Sequence, residues 1–371
     1  MKVALDVSAV PPNVAGAGRY IVELARRLPG QRETTLVTRR DDAVRWRNLS
    51  TDADVAALVP PGRVERLLYE TWRLGQSTVA RGTDVWHSPH YSMPRRCAAP
   101  TVVTIHDLTF FTNPEWHERS KVVFFRRAIN YSVQHAKVLV CVSEFTARQL
   151  DQVVEVHAPV VVAPLGVDLE AFNLDGAEDE AIFLRHGLAT DVPYIFFLGT
   201  VEPRKGLDAL LDAFAALAED DHAVELWIAG QAGWAMKEFD HAMGRHPGAS
   251  RIRRLGFVDE EVVAPLLRRA RVVAYPSRGE GFGLPVLEAL ACGALVVTTS
   301  DTVMAEVGAG AVSLATSGDA ISLANEIADV LRLDKDLRAQ RTRVARARAE
   351  EFSWDYCVAQ HLKAYELARG Q

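Results

Sequence analysis

Cysteine is scarce in this chain and badly spread for any joint task. Only Cys97, Cys141, Cys292 and Cys357 occur, far apart. No pair has zinc-site or redox-dithiol spacing, so buried free thiols in a reducing compartment are expected. No apolar run approaches the roughly 20 residues needed to span a bilayer. The opening stretch MKVALDVSAV has neither the long apolar core nor the small-residue cleavage site of a signal peptide. Strong charge of one sign is missing too. The net charge of -6 argues against a nucleic acid held by general electrostatics, although FFRRAIN and LRRARVV form local basic patches. Short-period repeats and low-complexity tracts are absent. These absences point to a cytosolic protein and leave contact with the cytoplasmic membrane face open.

What is present is the composition of a globular protein, 49% hydrophobic and 24% charged over 371 residues. That length suits roughly two or three domains. Short β-branched runs alternate with amphipathic stretches. KVALDVS, TTLVT, DVWHS, TVVTIHD, KVLVCVS and VVVAPLG read as strands, with helical patterns such as GRYIVELARRL and KVVFFRRAINYSVQHA between them. A second set begins at PYIFFLGT and continues through VELWIAG, RIRRLG, RVVAYPS and ALVVTTS. Such alternation, with near-continuous apolar strands, predicts parallel sheets covered on both faces. The acidic, turn-rich GVDLEAFNLDGAEDE is read as part of a linker over about residues 166–191. The expectation is an α/β chain of two doubly wound domains: 1–168, 169–352, and a last helix, 353–371, returning to the first.

In open parallel sheets, ligands gather beyond the carboxyl ends of the strands, and with two sheets the cleft between them is the natural site. Four loops there carry loaded residues. AGAGRY places Gly16 and Gly18 at a helix start, where backbone can approach a phosphate. The dinucleotide fingerprint would want a third glycine at Ile21, so that match is incomplete. TIHDLTFF places His106 and Asp107 at a strand end, and HSPHY sets His87 and His90 three apart without a further metal ligand. The latter pair reads as structural or acceptor-side.

FLGTVEPRKG puts Arg204 and Lys205 after a strand, where two cations suit a diphosphate. GEGFGLPVLEALACG places Glu280 on a glycine-rich loop and Glu288 about one turn into a helix that starts near Leu284. First-turn N–H groups between the two acids can hold an anion. The acids themselves suit hydroxyl pairs. Hydroxyls, diphosphate and further hydroxyls together describe a nucleotide sugar.

EGFGLPVLE resembles the motif of the retaining glycosyltransferases of family 4, two glutamates separated by seven residues. LGTVEPRKGLDALLDAF resembles that family's donor-phosphate segment, and GAGRY, HSPHY, TIHDLTF, VSEFT and PLGVDLEAF occur in the expected order. The nearest branch holds bacterial mannosyltransferases of O-antigen and related polysaccharides. The resemblance implies the GT-B architecture, two Rossmann-like domains with the site between them. It implies that Glu288 binds ribose, that Glu280 contacts the donor sugar, and that Arg204 and Lys205 neutralise the diphosphate. Backbone of Phe282, Gly283 and Leu284 would hold phosphate and sugar, and backbone of Val258 in LGFVDEE would meet the base. Gly16 and Gly18 would complete the phosphate cradle, and His106 would sit near the donor sugar. Gly206 follows Lys205 where asparagine is frequent in the family.

The resemblance further implies transfer of a hexose, mannose before others, from a nucleoside-diphosphate sugar such as GDP-mannose to a saccharide or lipid-linked saccharide. No cofactor, no metal and no nucleic acid are expected. The DAD triplet at Asp52–Asp54 lies in a polar stretch and reads as surface. Lys121, Phe124, Phe125, Arg126 and Arg127 on one helix would suit peripheral membrane contact. Two rival readings are a nicotinamide oxidoreductase, which leaves Glu280, Glu288, Arg204 and Lys205 unexplained, and a non-catalytic nucleotide-sugar-binding subunit.

Overall fold

The computed structural model describes the chain apart from residues 13, 15, 221–223, 234, 235 and 371, and the side chains of 218–220 and 236–238. Packing divides it into two units, Met1–Gly166 with Ser353–Gln371, and Val167–Phe352.

The first unit is built on β1 (Lys2–Asp6), β2 (Glu33–Arg39), β3 (Asp54–Val59), β4 (Val85–Ser88), β5 (Thr101–Ile105), β6 (Val138–Cys141) and β7 (Val160–Val162). Their order is β3-β2-β1-β4-β5-β6-β7, and every neighbouring pair is parallel. β4, β5 and β6 are buried along their whole length. That is what continuous VWHS, TVVTI and VLVC demand of a sheet covered on both faces.

The second unit carries β8 (Tyr194–Leu198), β9 (Glu225–Ala229), β10 (Ile252–Gly256), β11 (Val272–Tyr275), β12 (Val296–Thr299) and β13 (Val312–Ala315). Their order is β10-β9-β8-β11-β12-β13, again all parallel. Each sheet reverses its winding once, between β1 and β4 and between β8 and β11. Loops leaving the carboxyl ends at those two places diverge and open a crevice, where α/β sheets receive ligands. Both units are therefore doubly wound, Rossmann-like folds.

Two strands escaped the sequence pattern, β3 and β13. Both are sheet edges and only half buried. An edge strand needs no continuous apolar run, and the alanines of DVAALV are weak strand formers. The acidic segment read as a linker folds into the second unit. Helix Asp179–Arg185 lies within it, and the buried Asp179 carboxylate takes Arg268 Nη2 at 2.6 Å.

The last helix, Trp354–Gly370, seats on the first sheet through a buried polar chain. Tyr365 OH lies 2.8 Å from His87 Nδ1, and His87 Nε2 lies 2.8 Å from Thr104 Oγ1. Thr104 Oγ1 is 2.8 Å from Tyr20 OH, which is 2.6 Å from His361 Nε2. His361 Nδ1 ends the chain on the Cys357 carbonyl at 2.7 Å. Because that carbonyl can only accept, one direction satisfies every member with both imidazoles neutral. Burial holds both below the ordinary histidine range, His361 at about 4. His87 is thus structural.

Candidate active site

In the second unit the winding reverses between β8 and β11, so the loops after these strands are neighbours. β8 leads into the turn Pro203–Lys205, and β11 leads into the loop that carries Glu280. The backbone N–H of Arg278 donates to the Arg204 carbonyl at 2.7 Å and pins the loops together. Arg278 Nη2 also reaches Asp208 at 2.6 Å.

Arg204, Lys205 and Glu280 form one ion cluster. Arg204 Nη1 donates to Glu280 Oε2 at 2.8 Å, and Lys205 Nζ donates to Oε1 at 2.5 Å. Ser277 Oγ donates to the same Oε1 at 2.9 Å, and Lys205 Nζ also donates to Tyr275 OH at 2.7 Å. Arg204 Nε pairs with Glu202 at 2.9 Å. The sequence reading gave the acid and the two cations separate tasks; here they touch.

Burial alone would raise the Glu280 carboxyl, but the Arg204 and Lys205 charges outweigh it and hold it at about 2. Burial pushes the Lys205 ammonium down, and Glu280 pulls it partly back. Lys205 is only 7% exposed. It is a buried, paired cation and not a solvated loop residue.

Gly206 closes the turn at φ 68°, and a Cβ there would stand 2.1 Å from the Pro276 carbonyl oxygen. The left-handed region is the one that glycine and, after it, asparagine enter most readily. The close approach makes glycine the residue that fits this backbone.

The helix after the loop runs Leu284–Ala291, with Gly283 as its N-cap and Pro285 inside its first turn. Phe282, Gly283, Leu284 and Glu288 are all buried. Glu288 sits one turn in. Val258 lies half-buried just beyond the edge strand β10, next to the exposed Phe257.

Sequence reasoning missed the residues beneath the cluster. Thr298 Oγ1 donates to the Tyr275 carbonyl at 2.8 Å, and Thr299 Oγ1 to the Ser277 carbonyl at 2.7 Å. β12 thereby braces the loop of β11. The signal was the polar heads of Tyr275 and Ser277 at the end of the otherwise apolar VVAYPS.

Gly16, Gly18 and His106 belong to the first unit. Gly16 is the N-cap of helix Ala17–Arg27 at φ 51°, a conformation that requires glycine. Gly18 has no such demand; a Cβ there would make ordinary contact with Val14 at 3.4 Å. His106 is buried, and its Nε2 is 2.8 Å from the Pro89 carbonyl. That acceptor places the hydrogen on Nε2 and leaves Nδ1 as a lone-pair acceptor.

Burial keeps His106 below the ordinary histidine range, and burial with His106 pushes His90 down to about 3. Asp107 is committed elsewhere, since it accepts from Tyr91 OH at 2.7 Å and from the Thr109 amide at 3.0 Å. Tyr91 holds φ 58°, and its ring stands edge-on to both His90 and His106. Such a conformation costs about 1–3 kcal/mol and clusters at functional sites.

Asp52 and Asp54 of the DAD triplet are exposed, and Asp54 opens β3 at its amino end, away from the ligand edge. Among the described residues no group of three or more histidine, cysteine or carboxylate side chains is arranged to hold a metal ion. The four cysteines are free thiols.

A paired cation cluster at the switch point of one of two Rossmann-like units is the equipment of an enzyme that handles a nucleotide-linked group. Comparison with known proteins gives the class. The model for Glycosyltransferase Family 4 matches residues 14–171, and that for Glycosyl transferases group 1 matches 178–348. O-antigen chain mannosyltransferase B of Escherichia coli is 30% identical over 383 aligned positions, covering 99% of this chain and 100% of that protein. D-inositol 3-phosphate glycosyltransferase of Jonesia denitrificans is 28% identical, covering 96% and 92%.

Among solved structures, sucrose-phosphate synthase from Thermosynechococcus elongatus superposes with a TM-score of 0.78 at 19% identity, over 98% of each chain. HepE of Anabaena in complex with UDP-glucose gives 0.77 at 21%, over 100% of each. These two establish the GT-B fold. The chain belongs to glycosyltransferase family 4, and it is a glycosyltransferase rather than an oxidoreductase or a bare binding subunit.

Proposed function

We propose that the enzyme transfers a hexose, mannose before others, from GDP-mannose to a saccharide or lipid-linked saccharide in polysaccharide synthesis, with retention of configuration and without a metal. One observation carries the reading: two cations and a carboxylate interlock at the β8/β11 switch point, directly before the helix that bears Glu288. The Escherichia coli relative named a mannosyltransferase supports the choice of sugar.

The proposed roles combine the chemistry of the groups with what the family resemblance implies. Departure of a nucleoside diphosphate builds negative charge on phosphate, which Arg204 and Lys205 stabilise. Glu280, released from them, turns to hydroxyls of the donor sugar. Glu288 binds ribose, and Val258 meets the base through its backbone. First-turn backbone at Phe282, Gly283 and Leu284 holds phosphate and sugar, with Gly16 and Gly18 as further phosphate contacts. His106, neutral and with an open Nδ1 lone pair, accepts a hydrogen bond from a sugar hydroxyl.

Peripheral membrane contact is part of the proposal, with a changed surface. Phe125 packs against Tyr91 and Phe110, and Arg126 donates to the Phe110 carbonyl at 2.7 Å, so both are partly committed to the protein, while Lys121, Phe124 and Arg127 stay exposed. On helix Arg63–Trp72, Val64, Leu68 and Trp72 are exposed and lie four apart, hence on one face. Arg63, Arg73, Arg95 and Arg96 are exposed nearby, and the Arg95 amide donates to the Thr71 carbonyl at 2.9 Å. An apolar stripe rimmed by arginine complements an anionic lipid surface. No described helix is long and apolar enough to cross a membrane.

Thermal shift against GDP, UDP, dTDP and their sugars tests the donor, because a bound ligand stabilises the fold by mass action. GDP and GDP-mannose should give the largest shifts, and GDP-mannose should be turned over. A larger shift and turnover with a UDP- or dTDP-sugar would overturn the choice of donor.

A further inference from the structure

A second acid cluster lies at the switch point of the first sheet, and nothing above uses it. Asp6 ends β1. Ser8 follows, 1% exposed, and Glu70 reaches in from helix Arg63–Trp72. Ser8 Oγ is 2.6 Å from Asp6 Oδ1 and 2.8 Å from Glu70 Oε1. A hydroxyl has one hydrogen to donate. With both carboxyls ionised, one of these contacts would set oxygen lone pairs against each other at hydrogen-bond distance. One carboxyl must therefore carry a proton and give it to Ser8, while Ser8 gives its own to the other.

Two cations face the pair, Arg39 at the end of β2 and Arg66 on the helix of Glu70. Both are largely engaged by the loop backbone. Arg39 Nη1 donates to the Ser8 and Val10 carbonyls at 3.1 Å each, and Arg66 Nη1 to the Ser8 carbonyl at 3.3 Å. Arg39 is further shared with Asp41 and Asp42, both at 3.4 Å. Arg66 Nε comes no nearer to Glu70 than 3.4 Å. Arg45 adds bonds to the Val10 and Pro11 carbonyls. The acids and the arginines thus grip the same short loop, which runs on to Gly16.

We propose that Asp6 and Glu70 hold one proton between them across Ser8, and that Glu70 is thereby a positioning residue for the loop after β1. While the proton is held, Ser8 satisfies both acids and the loop is fixed. When it leaves, two charges compete for one hydroxyl, and the Ser8 carbonyl shifts together with its arginine bonds. Burial and the Asp6 charge hold the Glu70 carboxyl up at about 7, within the working range of an enzyme. The link to turnover rests on the reading that Gly16 and Gly18 touch the donor phosphate.

Hydrogen exchange of the Ser8 and Val10 amides, corrected for intrinsic rates, reports the loop without any ligand. In the full-length wild-type chain, protection should be roughly tenfold lower at pH 8 than at pH 6, as the proton-bound form falls to about a tenth one unit above its midpoint. Glu70→Gln keeps a permanent N–H toward Ser8 and should be protected at both pH values. Glu70→Ala, if it folds, removes the competing acid while the Ser8 amide and hydroxyl keep Asp6 Oδ1, so its protection should not change between the two pH values. The kcat/KM for GDP-mannose should follow the same pattern, falling with pH in the wild type and flat in Glu70→Gln.

A Glu70→Gln chain that loses protection with pH as the wild type does would overturn the shared proton. Exchange that behaves as expected while turnover does not would overturn the link from loop to donor, and would support the proton sharing on its own.

Discussion

Lys205→Ala and Arg204→Ala look alike in the sequence, and the structure separates them. Lys205 is 7% exposed, and its ammonium serves both Glu280 and the Tyr275 hydroxyl. Removing one partner of a buried pair typically costs about 3–5 kcal/mol. Glu280 would still keep Arg204 and Ser277, so the lower end applies, about 3 kcal/mol. The Arg204 side chain is 25% exposed, and its second partner, Glu202, is 28% exposed. Arg204 also pairs with the largely buried Glu280, but that acid keeps Lys205 and Ser277 in its absence. The guanidinium itself is partly solvated, so its loss should cost less than that of Lys205, about 1 kcal/mol. In a unit of this size each kcal/mol moves Tm by about 2–4 °C. The transition of the second unit should then fall by about 6–12 °C in Lys205→Ala and by about 2–4 °C in Arg204→Ala.

Both variants should lose on the order of 10²-fold in kcat, as single charge-stabilising donors do. Differential scanning calorimetry and steady-state kinetics read the two effects separately. Equal losses of Tm would refute the burial argument, and near-normal kcat in the double variant would refute the leaving-group role. A pH series adds a sign. Glu280 is held at about 2, below its ordinary 4.5. Its contribution is therefore complete above pH 4.5 and fades as pH falls toward 2. For a coupled cluster the scale is at most about 3 kcal/mol. The stability gap between wild type and Glu280→Gln should narrow over that window, and a gap constant from pH 5 to pH 2.5 would contradict the assignment.

Two further outcomes are expected. Turnover of GDP-mannose should survive saturating EDTA if Arg204 and Lys205 neutralise the diphosphate as proposed; complete loss restored by manganese would end the metal-free reading. Cosedimentation with phosphatidylglycerol vesicles should fall as salt rises and should drop further in Trp72→Ser than in Phe125→Ser; the reverse order would move the contact back to helix Arg119–His135.

The parts of the fold legible in the sequence were those whose environment is uniform. Buried central strands must be apolar throughout, so VVTI, VLVC and VVAY announce themselves. β3 and β13 escaped because an edge strand is half solvated and tolerates alanine, serine and aspartate. The candidate site was legible as a set of loops, because chemistry collects where strands end. Its internal contacts were not. Nothing in the spacing of Arg204 and Glu280, 76 positions apart, says that they meet; only the crossing of the chain between β8 and β11 does that. The same holds for Asp6 and Glu70, and for His361, whose partner Tyr20 stands 341 positions earlier. Short-range patterns report local geometry and burial, while polar networks depend on topology that no local window contains.

That topology changes what the two glutamates of the glycine-rich stretch should do when altered. Arg204 and Lys205 are already balanced in the free enzyme by Glu202 and Glu280, two positive charges against two negative. On the proposed roles, a diphosphate must compete with Glu280 for both cations, and Glu280 stands beside the donor sugar. Glu280→Gln removes the competitor, so the affinity for free GDP should hold or rise, by an amount on the order of tenfold for one freed charge interaction of about 1.4 kcal/mol. The same change should lower kcat, because the carboxylate is missing beside the positive charge that develops on the sugar. Glu288 is not a member of the Arg204–Lys205–Glu280 ion pairs. With Glu288 in its proposed role, Glu288→Gln weakens a contact to ribose that substrate and transition state would share, so it should raise KM, weaken GDP and leave kcat nearly intact. Calorimetry with GDP and kinetics with GDP-mannose distinguish the two variants. GDP bound more weakly by Glu280→Gln than by Glu288→Gln would mean that Glu280 helps to hold the diphosphate instead of competing for its cations.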